Sequence, residues 1–203
     1  MELNKALSQL TEIHDHLSKS QTYRGITSLP VAIAGLFALI AASAQQYFVE
    51  ENSPDQFVIY WSSVALITLF ITIGVVLYKY FYRESNYHRK LTLKVVGQFF
   101  PSIVAGFIVS IALSSQSREF IPFLPGIWTL LFALGILAAR PYLPRLLNWV
   151  TFFFFCASIQ LFLMAPSGES LSPWGMGLSF GIGLILSSIL LFWSLERPQN
   201  VTE

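Results

Sequence analysis

The stretch LLNWVTFFFFCASIQLFLM, residues 146–164, decides the fold. It contains no Asp, Glu, Lys, Arg or His. A helix of that length rises about 28 Å, close to the ~30 Å hydrocarbon core of a bilayer. The run Phe152–Phe153–Phe154–Phe155 breaks the polar–apolar alternation that a barrel strand requires. With no water to satisfy backbone groups inside a bilayer, the segment is expected to be a transmembrane helix.

Five further charge-free runs have similar length: Leu29–Phe48, Phe57–Tyr78, Val95–Leu113, Phe120–Ala139 and Trp174–Trp193. The whole chain follows the same chemistry. Of its 203 residues 54% are hydrophobic and 11% charged, with a mean hydropathy of +0.61. An average soluble domain carries about 25% charged residues. The expected fold class is therefore an all-α membrane protein, a six transmembrane helix bundle over residues 29–194. Residues 1–28 form a cytoplasmic amphipathic helix and linker, and residues 195–203 a short cytoplasmic tail. Short connections between spans favour antiparallel neighbours. Ala42–Ser43–Ala44 has the small residues of a signal cleavage site. The segment before the first span is too long and, with Glu2, Glu12 and Asp15, too acidic for a signal n-region, so that span is read as retained.

Charge fixes an expected orientation. Lys5, Lys19, Arg24, Lys79, Arg83, Arg89, Lys90, Lys94, Arg140, Arg145 and Arg197 fall on one side of the predicted bundle, and Arg118 alone falls on the other. By the positive-inside rule both termini are cytoplasmic. The outer side carries Glu50, Glu51, Asp55, Glu119 and Glu169. Tyr47, Tyr60, Trp61, Phe120 and Trp174 are expected as aromatic anchors at the outer interface. Tyr78, Tyr80, Tyr82, Tyr142, Trp149 and Trp193 are expected at the inner one. A formal net charge of +1 gives no basis for nucleic-acid binding.

Lipid tails are as apolar as leucine, so helix pairing depends on small residues that let backbones approach. Ala34, Ala38 and Ala42 repeat every fourth position in the first span, and Gly177 and Gly181 form a GxxxG pair in the last. The sequence leaves open whether these faces close within one chain or in a homo-oligomer. In the third span Pro101 removes the hydrogen bond to the carbonyl of Gly97, with Gln98 beside it. A kink is expected there, either packed on neighbours or marking a moving part. Pro122 and Pro125 are expected in the first turn of the fourth span. The segments LPVAIAGLFALIAA and LPGIWTLLFALGILAA share a pattern that an inverted repeat would produce.

No ionisable residue lies within the six runs, which argues against proton relays and against a charged substrate at the midplane. No GxSxG, HExxH or P-loop pattern occurs. The single cysteine, Cys156, excludes an internal disulfide and is read as a buried, inert thiol. His14, His16 and His88 are all expected on the cytoplasmic side. Helical positions two apart point about 200° apart, so His14 and His16 do not share one ion. No catalytic residue, metal site or cofactor is expected.

The N-terminal segment is patterned. Leu3, Leu7, Leu10, His14 and Leu17 follow heptad spacing, and Asp15 with Lys19 forms an i,i+4 pair on the opposite face. Such a helix lies on the membrane or bundle, pairs with another copy, or docks a cytoplasmic partner. The connection KYFYRESNYHRKLTLK, residues 79–94, adds five positive charges that suit anionic lipid.

Two segments, EIHDHLSKSQTYRGITSLPVAIAG and LPGIWTLLFALGILAARPYLP, resemble an uncharacterised group of small six-span bacterial inner-membrane proteins. The resemblance implies a bacterial inner-membrane location and a regulatory role, since such proteins tend to be encoded beside winged-helix regulators. It implies no catalytic or ligand residues. The expected function is that of a non-enzymatic regulatory or accessory subunit. Its partners would be the lipid bilayer and a cytoplasmic or membrane protein bound through the cytoplasmic face. The alternative is a small transporter or channel for a neutral or lipid-like substrate.

Overall fold

The computed structural model describes residues 28–50, 53–82 and 86–196, without the side chains of 79, 80, 82, 86–91 and 196. The predicted N-terminal helix through Leu3, Leu7, Leu10, His14 and Leu17 lies outside the described residues. The described chain is all-helical: α1 Ser28–Phe48, α2 Pro54–Tyr82, α3 Asn86–Gln116, α4 Leu124–Ala139, α5 Leu147–Met164 and α6 Pro173–Leu191. Six helices are long and apolar enough to cross a membrane.

The boundaries differ from the charge-free runs in two places. Helices α2 and α3 continue beyond Phe57–Tyr78 and Val95–Leu113 at both ends, because Lys, Arg and Tyr remain good helix formers outside hydrocarbon. The fourth run splits. Arg118–Phe123 forms a 3-10 segment that contains Pro122, and only Pro125 sits in the first turn of α4. Proline lacks the N–H that a continuous α-helix would use there.

The connections α1–α2, α3–α4 and α5–α6 meet at one end, the acidic one in sequence. The end of α2, the start of α3 and the α4–α5 turn lie at the opposite, basic end. At the acidic end Ser170 Oγ donates to Pro122 O at 2.6 Å, and the exposed Arg118–Asp55 ion pair closes at 2.8 Å. Between α5 and α6, Gly168 adopts φ +78°, a left-handed turn that favours glycine.

Short loops do not decide which helices pack most tightly. The most extensive pairing joins the first and last spans, α1 and α6, which run antiparallel. From there α5 packs on α6, α4 on α5 and α3 on α4. Phe132 of α4 is the hub. Its ring lies 5.2 Å from that of Phe99, 4.9 Å from Phe154 and 5.4 Å from Phe180, tying α3, α5 and α6 to α4. Two interhelical hydrogen bonds reinforce this core: Ser158 Oγ to Gly126 O at 3.0 Å and Trp128 Nε1 to Ser110 Oγ at 2.8 Å.

Candidate functional site

The α1–α6 seam is built by small residues. A methyl group on Gly177 would overlap the side chain of Ala42, and one on Gly181 would lie 2.5 Å from Leu39 Cδ2. Gly35 meets the Gly181 carbonyl, with 3.0 Å left for a Cβ. Near the opposite end of the seam Ser188 Oγ donates to Ser28 O at 2.8 Å. Ala38 and Ala42 are buried, whereas Ala34 is only half-buried. The tight register thus runs Gly35–Ala38–Ala42 rather than Ala34–Ala38–Ala42. Glycine gives the closer approach, and the one-residue offset follows from which side of α1 faces α6.

At the acidic end a buried polar latch holds α2. The Trp61 indole donates to Gln45 Oε1 at 2.8 Å, and Gln45 Nε2 donates to Leu171 O at 3.0 Å. Tyr60 OH donates to Ala41 O. Phe57, Trp61, Ala41, Ala42 and Met176 pack around these bonds. The sequence reading placed Tyr60 and Trp61 as interfacial anchors. The structure corrects this: Trp61 is 3% exposed and Tyr60 half-buried, because Gln45 and a carbonyl replace headgroups as their partners. The signal available in the sequence was Gln45, a costly amide in a charge-free span, which needed a nearby donor and acceptor.

Beyond the latch α2 stands apart. The consecutive residues Phe70, Ile71, Thr72, Ile73 and Gly74 are all exposed, so that turn is open on every side, and Gly74 has open space beside it. Only 6% of the most apolar window of α2, and 6% of that of α3, is buried, against 33–44% for the other four spans. Of the two, α3 is held on one side by α4, whereas α2 is held at its latch end.

Gly97, Gln98 and Pro101 lie on α3, which runs unbroken through Pro101. All three are exposed. This side of α3 is therefore not the one that the neighbouring helices cover. The packed side of α3 is instead Val95 and Phe99, against α4. Lys94, one turn before Gln98, is exposed on the same face as the other three, at positions i, i+3, i+4 and i+7. Sequence reading treated Lys94 as part of a connection and missed its alignment with Gln98. Their i,i+4 spacing was the signal.

Cys156 is exposed rather than buried. It shares an outward stripe of α5 with Phe152, Ile159 and Gln160. In an apolar setting the thiol behaves as a small hydrophobe. His14 and His16 lie outside the described residues, and the side chain of His88 is not described. No group of three or more His, Cys, Asp or Glu side chains gathers among the described residues.

No family model, curated protein or solved structure matches the chain.

Proposed function

We propose that this is a non-enzymatic regulatory or accessory subunit of a bacterial inner membrane. Both termini are cytoplasmic, and the cytoplasmic face binds a protein partner. The observation that carries the reading is the contrast between four well-buried spans and two, α2 and α3, of whose most apolar windows only 6% is buried among the described residues. Between these two spans the sequence concentrates positive charge. Thinly covered spans beside a basic connection suit a protein whose role is to be engaged by another, since a partner gains contact area there without displacing native packing. The amphipathic pattern of residues 1–20 supplies a second contact on the same side.

Deleting residues 1–20 is expected to leave membrane insertion intact and to abolish stoichiometric recovery of the partner in mild detergent. Recovery of the same complex after the deletion would overturn the assignment of that face.

The second reading, a small transporter or channel for a neutral or lipid-like solute, rests on the glycine-rich last span, on Pro101 beside Gln98 and on the inverted-repeat pattern of the sequence. Flux through liposomes holding the purified protein alone would move the assignment to it.

A further inference from the structure

The exposed face of α3 concentrates polar groups where a bilayer offers few partners. Lys94 and Gln98 are exposed, and neither makes a hydrogen bond or ion pair among the described residues. Pro101 has no amide hydrogen, so the helical bond to the Gly97 carbonyl is missing. Gly97 has no side chain, and nothing lies within 4 Å of where a Cβ would stand, so a notch opens in the helix surface beside Gln98. An ammonium, a primary amide and an uncovered backbone notch thus share one face. The backbone of Gln98 lies about 6 Å farther into the span than that of Lys94, at 1.5 Å rise per residue.

We propose that this face binds one anionic glycerophospholipid from the leaflet that holds the start of α3. Lys94 pairs with the phosphate. One helical turn deeper, the Gln98 amide donates to an ester carbonyl, and the glycerol backbone seats against Gly97. This order matches a phospholipid, whose phosphate lies outside its esters, which lie outside its acyl chains. The chains then run along the exposed apolar side chains that continue this face of α3, Val104, Ile108 and Ala112. Charge favours an anionic headgroup: Arg89 and Lys90 precede Lys94 closely in sequence, and acid is confined to Glu84 across residues 79–94. The same charge disfavours a second copy as the occupant. A two-fold axis along the bilayer normal would set Lys94 beside its own symmetry mate. The inference stands apart from the partner reading, since it concerns a lipid and not the subunit's complex.

The test uses the full chain in nanodiscs of equimolar phosphatidylcholine and phosphatidylglycerol, released into the gas phase for native mass measurement. One retained phosphatidylglycerol per chain, in preference to phosphatidylcholine, is expected. Lys94→Ala should lower that preference roughly fivefold, the factor corresponding to one basic contact. Lys94→Arg should keep it. Gln98→Leu and Gly97→Val should reduce retention of the lipid without affecting folding, since both positions are exposed and a Cβ at Gly97 meets open space. Equal retention of the two lipids, or an unchanged preference in Lys94→Ala, would overturn the proposal. So would a dimer, in place of a bound lipid, that dissociates in Gln98→Leu.

Discussion

Gly177 and Ala42 show how much depends on one missing methyl group. Gly177→Ala would drive a Cβ into Ala42 with backbone on both sides, and overpacking of this kind costs about 1–3 kcal/mol. The expected outcome is a matching loss of stability in mixed-micelle denaturation followed by tryptophan fluorescence. Ala42→Gly removes the opposing methyl and should recover most of the loss in the double variant, a coupling that a double-mutant cycle reads directly. A fully additive cycle would show that the two residues are not in contact. The small-residue pattern of both spans was legible in the sequence, because glycine and alanine at fourfold spacing have few other uses in a bilayer. The register was not. Gly35 and Ala34 are adjacent, and only the direction from which α6 approaches decides which of them is covered. The outward position of Cys156 was hidden for a related reason: a charge-free run marks a helix apolar enough to cross a membrane without telling which of its sides faces the other helices.

At the scale of elements, α2 is a helix anchored at one end. Gln45 holds the Trp61 indole and reaches the Leu171 carbonyl, so it links α1, α2 and the α5–α6 connection. Gln45→Leu strands a buried indole N–H and a carbonyl. Loss of each membrane-embedded hydrogen bond is worth about 0.6 kcal/mol on average and up to about 1.7. A stability loss of about 1–2 kcal/mol is expected, with faster reaction of a cysteine placed at Val64 as the helix end loosens. Arg118→Ala, by contrast, breaks an ion pair whose side chains are 79% and 47% exposed, and should cost less than about 1 kcal/mol. If Arg118→Ala proved the more damaging of the two, the ion pair rather than the amide would be the anchor. The existence of all six helices was readable from the absence of charge. The extension of α2 and α3 was not, because residues such as Lys79 and Tyr82 end a hydropathy run without ending a helix. Pro122 acted the opposite way, turning the start of an apolar run into 3-10 geometry.

For the whole molecule, the clustering of three connections at the acidic end, with the end of α2, the start of α3 and the α4–α5 turn at the basic end, makes orientation a single measurable question. In a Cys156→Ala background, a cysteine at Ser53 should react with an impermeant maleimide added outside intact cells. One at Ser85 should react only after the membrane is opened. The reverse pattern would invert the assigned topology and, with it, the leaflet of the Lys94 lipid. Cys156→Ala itself should be neutral within about 0.5 kcal/mol, as expected of a small outward-facing side chain. The clasp between α1 and α6 also bears on how the protein is made. Span α1 is made four spans ahead of α6, so its Gly35–Ala38 face has to wait for its mate while α2 to α5 are still being added. A chain interrupted before α6 would expose that small-residue seam, a mark by which an unfinished bundle differs from a finished one.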